Sequence, residues 1–529
     1  MSDLVHELIR QTAALTPAAE ALCYQAQRLN YAELEEQVGR FAQGLLQAGA
    51  GRGDRVAVYL EKRIETVVAL FGASAAGAAF VPVNPLLKAD QVAHIVNDCD
   101  ARILVTSADR LAAIAPVLQS CTGLHAVIVV GSKPGMPPAL QANTACSLLA
   151  WENCLPAGIS PLTHRCIDSD VAAILYTSGS TGRPKGVVLS HRNILAGAQS
   201  VAGYLGNHSK DRILALLPLS FDYGLSQLTT AFLSGGTVVL MNYLLPRDVV
   251  SIVTAERITG LAAVPPLWIQ LAQQAWPADC SLRYLTNSGG AMQRPTLQAL
   301  RAALPDAQVY LMYGLTEAFR STYLPPSQLD IRPDSMGKAI PNAEILVVRP
   351  DGTPCAPNEP GELVHRGALV SLGYWNDPQK TAERFRPLPQ TSTALPFPEI
   401  AVWSGDTVRM DEEGYLYFIG REDDMIKVSG YRISPTEVEE VIYSFPDVDE
   451  LAAVGVAHPQ LGQAIVVAIK QNAAGSLSAD TLRKECQRRL PAFMVPAHIE
   501  IDASSLPRNP NGKIDRKALQ ARFADLFKP

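Results

Sequence analysis

Short aliphatic and β-branched runs alternate with helical periodicity as far as residue 420, and this alternation constrains the fold more than any other feature. Residues 32–47 place Leu34, Val38, Phe41 and Leu45 on one helical face, and residues 55–60 read RVAVYL, which is typical of a strand. Further runs of the second kind occupy residues 101–107, 125–130, 237–241 and 307–313. Strands that alternate with helices predict parallel sheets covered on both faces.

A change in composition near residue 420 predicts a second, smaller domain. Residues 420–440, GREDDMIKVSGYRISPTEVEE, are dense in charge, and a separate alternation follows them. It predicts helices at 435–443 and 479–490 and strands at 451–457 and 464–470. The expected fold is α/β, with a large N-terminal domain (residues 1–421) of parallel or mixed sheets covered by helices. A small mobile α+β lid domain (residues 422–529) completes it.

Charge and composition exclude several classes of protein. The 45 basic and 51 acidic side chains give a net charge of −6 without long runs of either sign, so bulk attraction to nucleic acid or anionic lipid is not expected. The most apolar stretch, residues 67–83, is rich in Ala and Gly and predicts a buried helix and strand rather than a membrane span. Nine scattered cysteines without a CxxC pair indicate a reducing, cytoplasmic setting and argue against zinc.

The most informative segment is YTSGSTGRPKGVVLSHRN, residues 176–193, which follows the apolar run VAAIL. A strand that ends in Ser, Thr and Gly exposes backbone N–H groups and hydroxyls, which suits a polyphosphate, and Lys185 adds a positive charge. The spacing is not that of a Walker loop. His191 has no serine and acid arranged around it in a nucleophile pattern, and we interpret it as structural.

This segment closely resembles the phosphate loop of the AMP-forming adenylating enzymes, the superfamily of acyl-CoA ligases and of the adenylation domains of nonribosomal peptide synthetases. Companion motifs follow in the family's order: NSGGA at 287–291, YGLTE at 313–317, SGD at 404–406, GREDDMIKVSGYRI at 420–433 and NPNGKIDR at 509–516. Other stretches are similar to stand-alone ligases associated with exosortase A systems and to stand-alone amino acid-activating enzymes. Such enzymes join a carboxylate to ATP, release pyrophosphate, and pass the acyl group from the adenylate to a thiol.

The resemblance implies a role for each matching residue. It implies catalytic roles for Lys513, Thr316, Glu317 and Lys185, with Glu317 as the Mg²⁺ ligand and Lys513 reaching the substrate carboxylate and the α-phosphate. The implied nucleotide-binding residues are Thr177, Ser178, Gly179, Ser180, Thr181, Gly182, Gly289, Gly290, Ala291, Tyr313, Gly314, Asp406 and Arg421. Among these, the resemblance assigns Gly289, Gly290 and Ala291 to the adenine slot with Tyr313 on its opposite face, Asp406 to the ribose hydroxyls, and Arg421 to the ribose or a phosphate. Asp423 matches the hinge, and Lys427 and Gly430 lie in the lid segment presented to the thiol.

The acid pocket matches the family at a set of positions that departs from ordinary fatty or aromatic acyl-CoA ligases. The set is Phe221, Asp222, Tyr223, Ser226, Ala263, Thr286, Ser288, Met312 and Arg320. Asp222 matches the aspartate that pairs with the substrate ammonium in amino acid-activating domains. A carboxylate in an apolar pocket needs a partner, and either that ammonium or Arg320 could serve. Arg320 could instead bind a second anionic group of the substrate.

The thiol acceptor has two candidates, since coenzyme A and the phosphopantetheine arm of a carrier protein end in the same group. The chain has no carrier module after Lys513, so the acceptor is expected to be a separate molecule. The favoured expectation is an acyl-CoA ligase using ATP and Mg²⁺. The alternative is loading of a small amino acid onto a separate carrier protein. A luciferase-like oxygenase and a scaffold without turnover are disfavoured, the latter because Lys513, Glu317 and Asp406 are all present.

Overall fold

Four sheets and the helices that cover them make up the computed structural model. It describes residues 2–131, 146–158, 165–177, 184–388, 397–421, 425–445, 447–471, 478–502, 506–508 and 514–528. The helices are α1 Glu7–Leu15, α2 Tyr31–Gln47, α3 Ile64–Ala75, α4 Ala89–Asp98, α5 Ala108–Leu118, α6 His191–Leu205, α7 Asp222–Leu233, α8 Pro246–Ala255, α9 Pro265–Leu271, α10 Arg294–Ala303, α11 Pro378–Arg384, α12 Pro435–Tyr443, α13 Ala479–Arg489 and α14 Arg516–Arg522.

Strands of the first sheets come from the N-terminal two thirds of the chain. They are β1 Glu20–Tyr24, β2 Gln27–Asn30, β3 Arg55–Tyr59, β4 Ala79–Pro82, β5 Ile103–Ser107, β6 Ala126–Val130, β7 Ser147–Ala150, β8 Val171–Thr177, β9 Lys185–Ser190, β10 Arg212–Ala215, β11 Thr237–Leu240, β12 Gly260–Ala263, β13 Tyr284–Asn287, β14 Gln308–Tyr313, β15 Thr322–Leu324 and β16 Lys338–Ala339. The remaining strands are β17 Ala343–Val348, β18 Gly361–Gly367, β19 Phe385–Pro387, β20 Ile400–Met410, β21 Leu416–Arg421, β22 Ile426–Val428, β23 Tyr431–Ile433, β24 Val448–His458, β25 Gly462–Gln471 and β26 His498–Asp502.

Two large sheets carry the parallel pairing that the alternation predicts. The nine-stranded sheet has the order β16-β15-β14-β13-β12-β10-β11-β1-β2, and the seven-stranded sheet has the order β7-β6-β5-β3-β4-β8-β9. Strands are parallel through the middle of each sheet, and antiparallel strands close the edges at β2, β9, β15 and β16. The α/β prediction is therefore confirmed, and the carboxyl ends of β12, β13 and β14 reach one edge of the nine-stranded sheet.

The buried helix–strand unit at residues 67–83 forms as predicted. Helix α3 is buried over almost its whole length, and β4 follows it as a fully buried parallel strand. Gly72 lets α3 approach α2, since a Cβ there would lie 2.8 Å from the ring of Phe41. In the described part of the chain no helix combines the length and the apolar character that a membrane crossing requires.

Two smaller sheets follow, antiparallel except for the parallel pair β25–β26. One has the order β17-β18-β20-β19 with β21 on β20, and the other is built only from residues 426–502, with β24 and β25 as its long central pair. Helices α12 and α13 cover the second sheet over its own core of Ile426, Val438, Leu451, Val467 and Leu482. The elements predicted beyond residue 433 are all present, with ends shifted by up to three residues.

Candidate active site

A β-hairpin frames the phosphate-loop motif. Strand β8 ends at Thr177 and β9 begins at Lys185, and these two residues are register partners in an antiparallel pair. The hydroxyl-rich residues 178–183 therefore connect two strands anchored in the seven-stranded sheet. Ser178, Gly179, Ser180, Thr181 and Gly182 lie outside the described residues, so the structure neither supports nor opposes their implied roles.

The hairpin places Lys185 beside a buried carboxylate. Glu317 lies in a 3₁₀ turn, Thr316–Ala318, just after β14, and its Oε1 is 3.2 Å from the Nζ of Lys185. The hydroxyl of Tyr374 donates to the same Oε1 at 2.6 Å and accepts from the Lys185 Nζ at 2.6 Å. Two motifs 132 residues apart thus meet through one buried ion pair and one tyrosine.

Opposite charge keeps this cluster ionised despite its burial. Burial alone would raise the pKa of Glu317, but the charges of Lys185 and Arg432 and the hydroxyl of Tyr374 outweigh it and hold that pKa far below its usual range. Burial lowers the pKa of Lys185, and Glu317 opposes this shift. The hairpin end therefore carries an anionic oxygen ligand next to concentrated positive charge.

This arrangement fits a polyphosphate and a hard cation. Glu317 supplies the buried, ionised carboxylate oxygen that Mg²⁺ prefers, and Lys185 supplies a cation for phosphate oxygens. At the end of β8 the Thr177 hydroxyl is buried without a hydrogen-bond partner among the described residues. A buried hydroxyl left in this state is an expected feature of a site that a ligand completes.

Two glycines, Gly289 and Gly290, follow β13, and Gly290 lies beside Pro265, which follows β12. Gly289 has φ +83°, and a Cβ on Gly290 would lie 3.2 Å from the ring of Pro265, so this turn has no room for larger residues. The Asn287 amide donates to the carbonyl of Gly290 at 2.9 Å and fixes the turn. A turn without bulky side chains is what the adenine assignment of Gly289, Gly290 and Ala291 expects at this place.

Asp406 and Tyr313 form one polar pair. The Tyr313 hydroxyl donates to Oδ2 of Asp406 at 2.5 Å, and Asp406 is buried. The backbone N–H of Asp406 donates to Ser404 Oγ, which itself donates to the carbonyl of Leu363. Arg421 is the register partner of Asp406 on β21, so the two residues assigned to the ribose lie opposite each other on neighbouring strands.

The acid pocket contains a buried ion pair. Asp222 is the first residue of α7, and its Oδ2 is 3.1 Å from Nη1 of Arg320. Burial raises the pKa of Asp222, and the charge of Arg320 and helix-end N–H groups oppose this shift. The alternative that Arg320 is the partner of Asp222 is the one that the structure contains.

The other pocket positions pack around this pair. The guanidinium of Arg320 lies over the ring of Tyr223, 4.6 Å from its centroid, and the Tyr223 hydroxyl is 2.6 Å from Thr286 Oγ1. Gly314 lies against Arg320, since a Cβ there would be 3.2 Å from its Cα. The remaining positions are Ser226, Ala263, Ser288 and Met312, which are buried, and Phe221, which lies at the rim.

The hairpin β22–β23 brings residues beyond 421 to the site. Gly430, at its turn, has φ +85°, and a Cβ there would be 2.9 Å from Cγ1 of Val264. The rings of Tyr431 and Phe221 meet at 5.1 Å between centroids. Arg432 is close enough for its charge to act on both Glu317 and Lys185. Lys427 lies on β22, whereas Asp423 and Lys513 fall outside the described residues.

Three residues of this site had no assignment from sequence: Tyr374, Val264 and Arg432. Tyr374 follows the segment GALVSLG, which matches no motif used above. An isolated bridge between Val187 and Tyr374, together with backbone hydrogen bonds of the neighbouring residues to β9, places it beside that strand. Arg432 is part of the GREDDMIKVSGYRI motif, so the motif could have identified it as a candidate site residue. Val264 has no sequence signal, because its role comes from contact with a residue 166 positions away.

Comparisons with known proteins agree with this geometry. The family model "AMP-binding enzyme" matches residues 9–375, and the model "AMP-binding enzyme C-terminal domain" matches residues 437–513. The L-proline--[L-prolyl-carrier protein] ligase of Pseudomonas fluorescens is 30% identical over 98% of this chain and 98% of its own length. Tyrocidine synthase 3 of Brevibacillus parabrevis is 29% identical over 98% of this chain, which spans only 8% of that protein.

Among solved structures, o-succinylbenzoate CoA synthetase from Bacillus subtilis, bound with a product analogue, superimposes with a TM-score of 0.82 at 26% identity. The superposition covers 97% of each chain. The first model covers Lys185, Glu317 and Tyr374, and the second covers β24, β25 and β26 of the smaller sheet. The chain therefore belongs to the AMP-binding enzyme family.

Proposed function

We propose that this ligase condenses a carboxylic acid with ATP to an acyl adenylate, with release of pyrophosphate, and then forms the acyl thioester of coenzyme A. The observation that carries the proposal is the Lys185–Glu317–Tyr374 cluster at the end of the β8–β9 hairpin. A carboxylate that attacks a polyphosphate is an anion approaching an anion, so charge neutralisation is the first requirement. The cluster supplies it in a buried setting.

The assigned nucleotide roles follow the contacts of the site. Thr177 and residues 178–182 would hold the β- and γ-phosphates together with Lys185, and Thr316 would lie at the α-phosphate. Asp406 would accept from the ribose hydroxyls, with Arg421 opposite it, and Tyr313 would hold Asp406 in place. Gly289, Gly290, Ala291 and Gly314 would border the base. Each role uses a group of suitable chemistry: hydroxyls and a cation for phosphate, a carboxylate for the diol.

Glu317 would hold Mg²⁺ through its ionised carboxylate. When bound, Mg²⁺ neutralises phosphate oxygens and favours the departure of pyrophosphate. Tyr374 and Lys185 orient the carboxylate through Oε1, which leaves Oε2 as the oxygen available to the metal. The chain's own contribution is to keep this carboxylate charged and fixed before the nucleotide arrives.

We further propose that residues 422–529 move as a lid about Asp423 and serve two half-reactions. The Gly430 turn against Val264 and the position of Arg432 suit the thioester-forming step, in which the lid borders the thiol's path. In the adenylation step the lid would present Lys513 to the carboxylate and the α-phosphate instead. A long flexible ammonium side chain can enter and leave with its loop.

Coenzyme A is the preferred acceptor because Asp222 already has a partner. An α-amino acid would have to place its ammonium on a carboxylate held by Arg320 at 3.1 Å. The second candidate is loading of a small amino acid onto a carrier protein, which the full-length similarity to the L-prolyl-carrier protein ligase favours. The nine cysteines, all free thiols, suit a cytoplasmic site of action for either reaction.

The test is ATP–pyrophosphate exchange across a panel of fatty, aryl, dicarboxylic and amino acids. Each active acid is then offered coenzyme A or a phosphopantetheinylated carrier protein. We expect acid-dependent exchange, thioester formation with coenzyme A, and loss of exchange in Lys513→Ala with capture of a supplied adenylate largely retained. Absence of exchange with every acid would overturn the proposal, and thioester formation only with the carrier would select the second candidate. Equal loss of both half-reactions in Lys513→Ala would overturn the two-step lid.

A further inference from the structure

Arg320 is buried with one edge of its guanidinium unmatched. It is 2% exposed, and its Nε and Nη2 have no hydrogen-bond partner among the described residues. Its remaining terminal nitrogen, Nη1, donates to Asp222. A guanidinium cannot lose its charge in a protein, so it cannot escape this cost by deprotonation.

The unmatched edge is the one that binds carboxylates elsewhere in this chain. Arg349 donates from Nε and Nη2 to the two oxygens of Glu359, Arg52 does so to Asp170, and Arg192 does so to Asp168. Two parallel N–H groups match the two oxygens of a carboxylate, which is why this pairing recurs. In Arg320 the same pair of N–H groups, Nε and Nη2, which we call the fork, has no acceptor among the described residues.

The surroundings of Arg320 hold the fork rigid. The Tyr223 ring lies under the guanidinium, the Asp222 carboxylate holds Nη1, and the backbone of Gly314 lies close to both its Cα and Nη1. The polar groups beside it are already matched to each other: the Tyr223 hydroxyl is bonded to Thr286, and the Tyr204 hydroxyl lies 2.9 Å from Met312 Sδ. The protein groups nearby therefore leave the fork to a ligand.

We infer that the acid substrate carries a second carboxylate, which binds the Nε–Nη2 fork of Arg320 while the reacting carboxylate faces the nucleotide. Asp222 is then a positioning residue: it fixes the guanidinium from the opposite side and balances its charge before the substrate enters. This inference rests on the proposed function and names the substrate class for it. A monocarboxylic acid of the same length would leave the fork unmatched in the complex.

The test compares acids in matched pairs of equal chain length: butanedioate with butanoate, pentanedioate with pentanoate, and hexanedioate with hexanoate. ATP–pyrophosphate exchange gives kcat/KM for each. We expect the dicarboxylate of at least one pair to exceed its partner by at least about 100-fold, because sites built around a buried polar group reject analogues that lack its partner. Its monomethyl ester, which keeps the shape but loses the charge, should behave like the monocarboxylate.

The double variant Asp222→Asn/Arg320→Met removes the fork without leaving Asp222 as an unpaired buried charge. We expect the ratio of dicarboxylate to monocarboxylate kcat/KM within each pair to fall toward one, because the group that distinguishes the two acids is gone. Arg349→Met, which removes an exposed fork of the same geometry, should keep the preference. If the wild-type enzyme uses both members of every pair equally, the inference is wrong and the proposed function stands. If no acid supports exchange, both are wrong. The wild-type comparison decides the question even where the double variant does not fold.

Discussion

His191 shows how a residue next to a catalytic motif can be structural. Its Nδ1 accepts from the backbone N–H of Val5 at 3.1 Å, and this contact ties the N-terminal segment to the first residue of α6. Burial lowers the pKa of His191 to about 4, a shift that Asp170 and Asp168 oppose. The neutral ring is required because protonation would turn the acceptor nitrogen into a donor facing another donor.

This contact predicts loss of stability in mild acid. Between the ordinary histidine pKa of 6.5 and about 4, the unfolded chain binds a proton at His191 and the folded protein does not. The free energy of unfolding should therefore fall with decreasing pH by about 1.4 kcal/mol per pH unit from this residue. His191→Asn, which keeps an acceptor but cannot titrate, should have a shallower slope in urea unfolding between pH 7 and 5.

The control is His125→Asn, at an exposed position, which should leave the slope unchanged. His6 contributes to the same window, since burial lowers its pKa to about 3, so part of the slope should persist in His191→Asn. A slope that is identical in the wild-type protein and His191→Asn would show that the buried ring does not govern acid stability.

At the scale of elements, the turn between β22 and β23 carries the contact that most directly links the two parts of the site. Ser429 and Gly430 both have positive φ, at 50° and 85°, which is the conformation of a tight hairpin turn. Gly430 is also constrained by space, because its Cα faces the side chain of Val264. The turn therefore needs glycine for two separate reasons.

Gly430→Ala should slow thioester formation by tenfold or more while leaving ATP–pyrophosphate exchange near the wild-type rate. The added Cβ would lie 2.9 Å from Val264 Cγ1, so the turn cannot reach its observed position; a tenfold effect corresponds to about 1.4 kcal/mol. Single-turnover capture of a preformed adenylate by the thiol is the measurement. Under the proposed two-step lid, adenylation does not use this contact, so the exchange reaction serves as the internal reference.

A matched control separates crowding from backbone strain. Gly414 has the same φ of 85°, in the turn between β20 and β21, and a Cβ there would meet nothing within 4 Å. Gly414→Ala should leave both half-reactions unchanged, and Val264→Ala should partly restore Gly430→Ala. If Gly430→Ala and Gly414→Ala behave alike, contact with Val264 is not the cause.

Elements were predictable where their signal is local, and their assembly was not. The helix predicted at residues 32–47 forms as Tyr31–Gln47 because its periodicity and its Asn30–Glu33 capping box lie within the segment itself. The position of β1 beside β11 depends on pairing between Leu22 and Val238, and no local pattern encodes it. The site follows the same rule: motifs identified Lys185 and Glu317, whereas Tyr374, which bonds both, could be found only in three dimensions.

At the scale of the whole molecule, helices α4 and α12 meet across a cavity of about 350 Å³. Gln91 Nε2 lies 3.5 Å from Glu437 Oε1 and 3.7 Å from Met494 Sδ. The charged and titratable groups that border the cavity are Asp90, His94, Glu437, Glu440 and Arg489. Burial raises the pKa of Glu437 to about 7, and Glu440 adds to the shift while Gln91 opposes it. We therefore expect contact between the two parts of the chain to be coupled to the protonation of Glu437.

Docking of residues 422–529 in this arrangement should weaken as the pH rises from about 4.5 to about 7 and change little above that. In this window docked Glu437 binds a proton that the exposed, undocked group has released, so each pH unit shifts the docking equilibrium by up to about tenfold. Energy transfer between dyes on the two parts of the chain measures the docking equilibrium.

Glu437→Gln should abolish the pH dependence of docking that comes from Glu437, because an amide mimics the protonated acid. Glu440 is an exposed residue of the same helix. Glu440→Gln should keep a pH dependence of docking, because Glu437 itself still titrates. An unchanged pH profile in Glu437→Gln would show that Glu437 does not couple docking to protons.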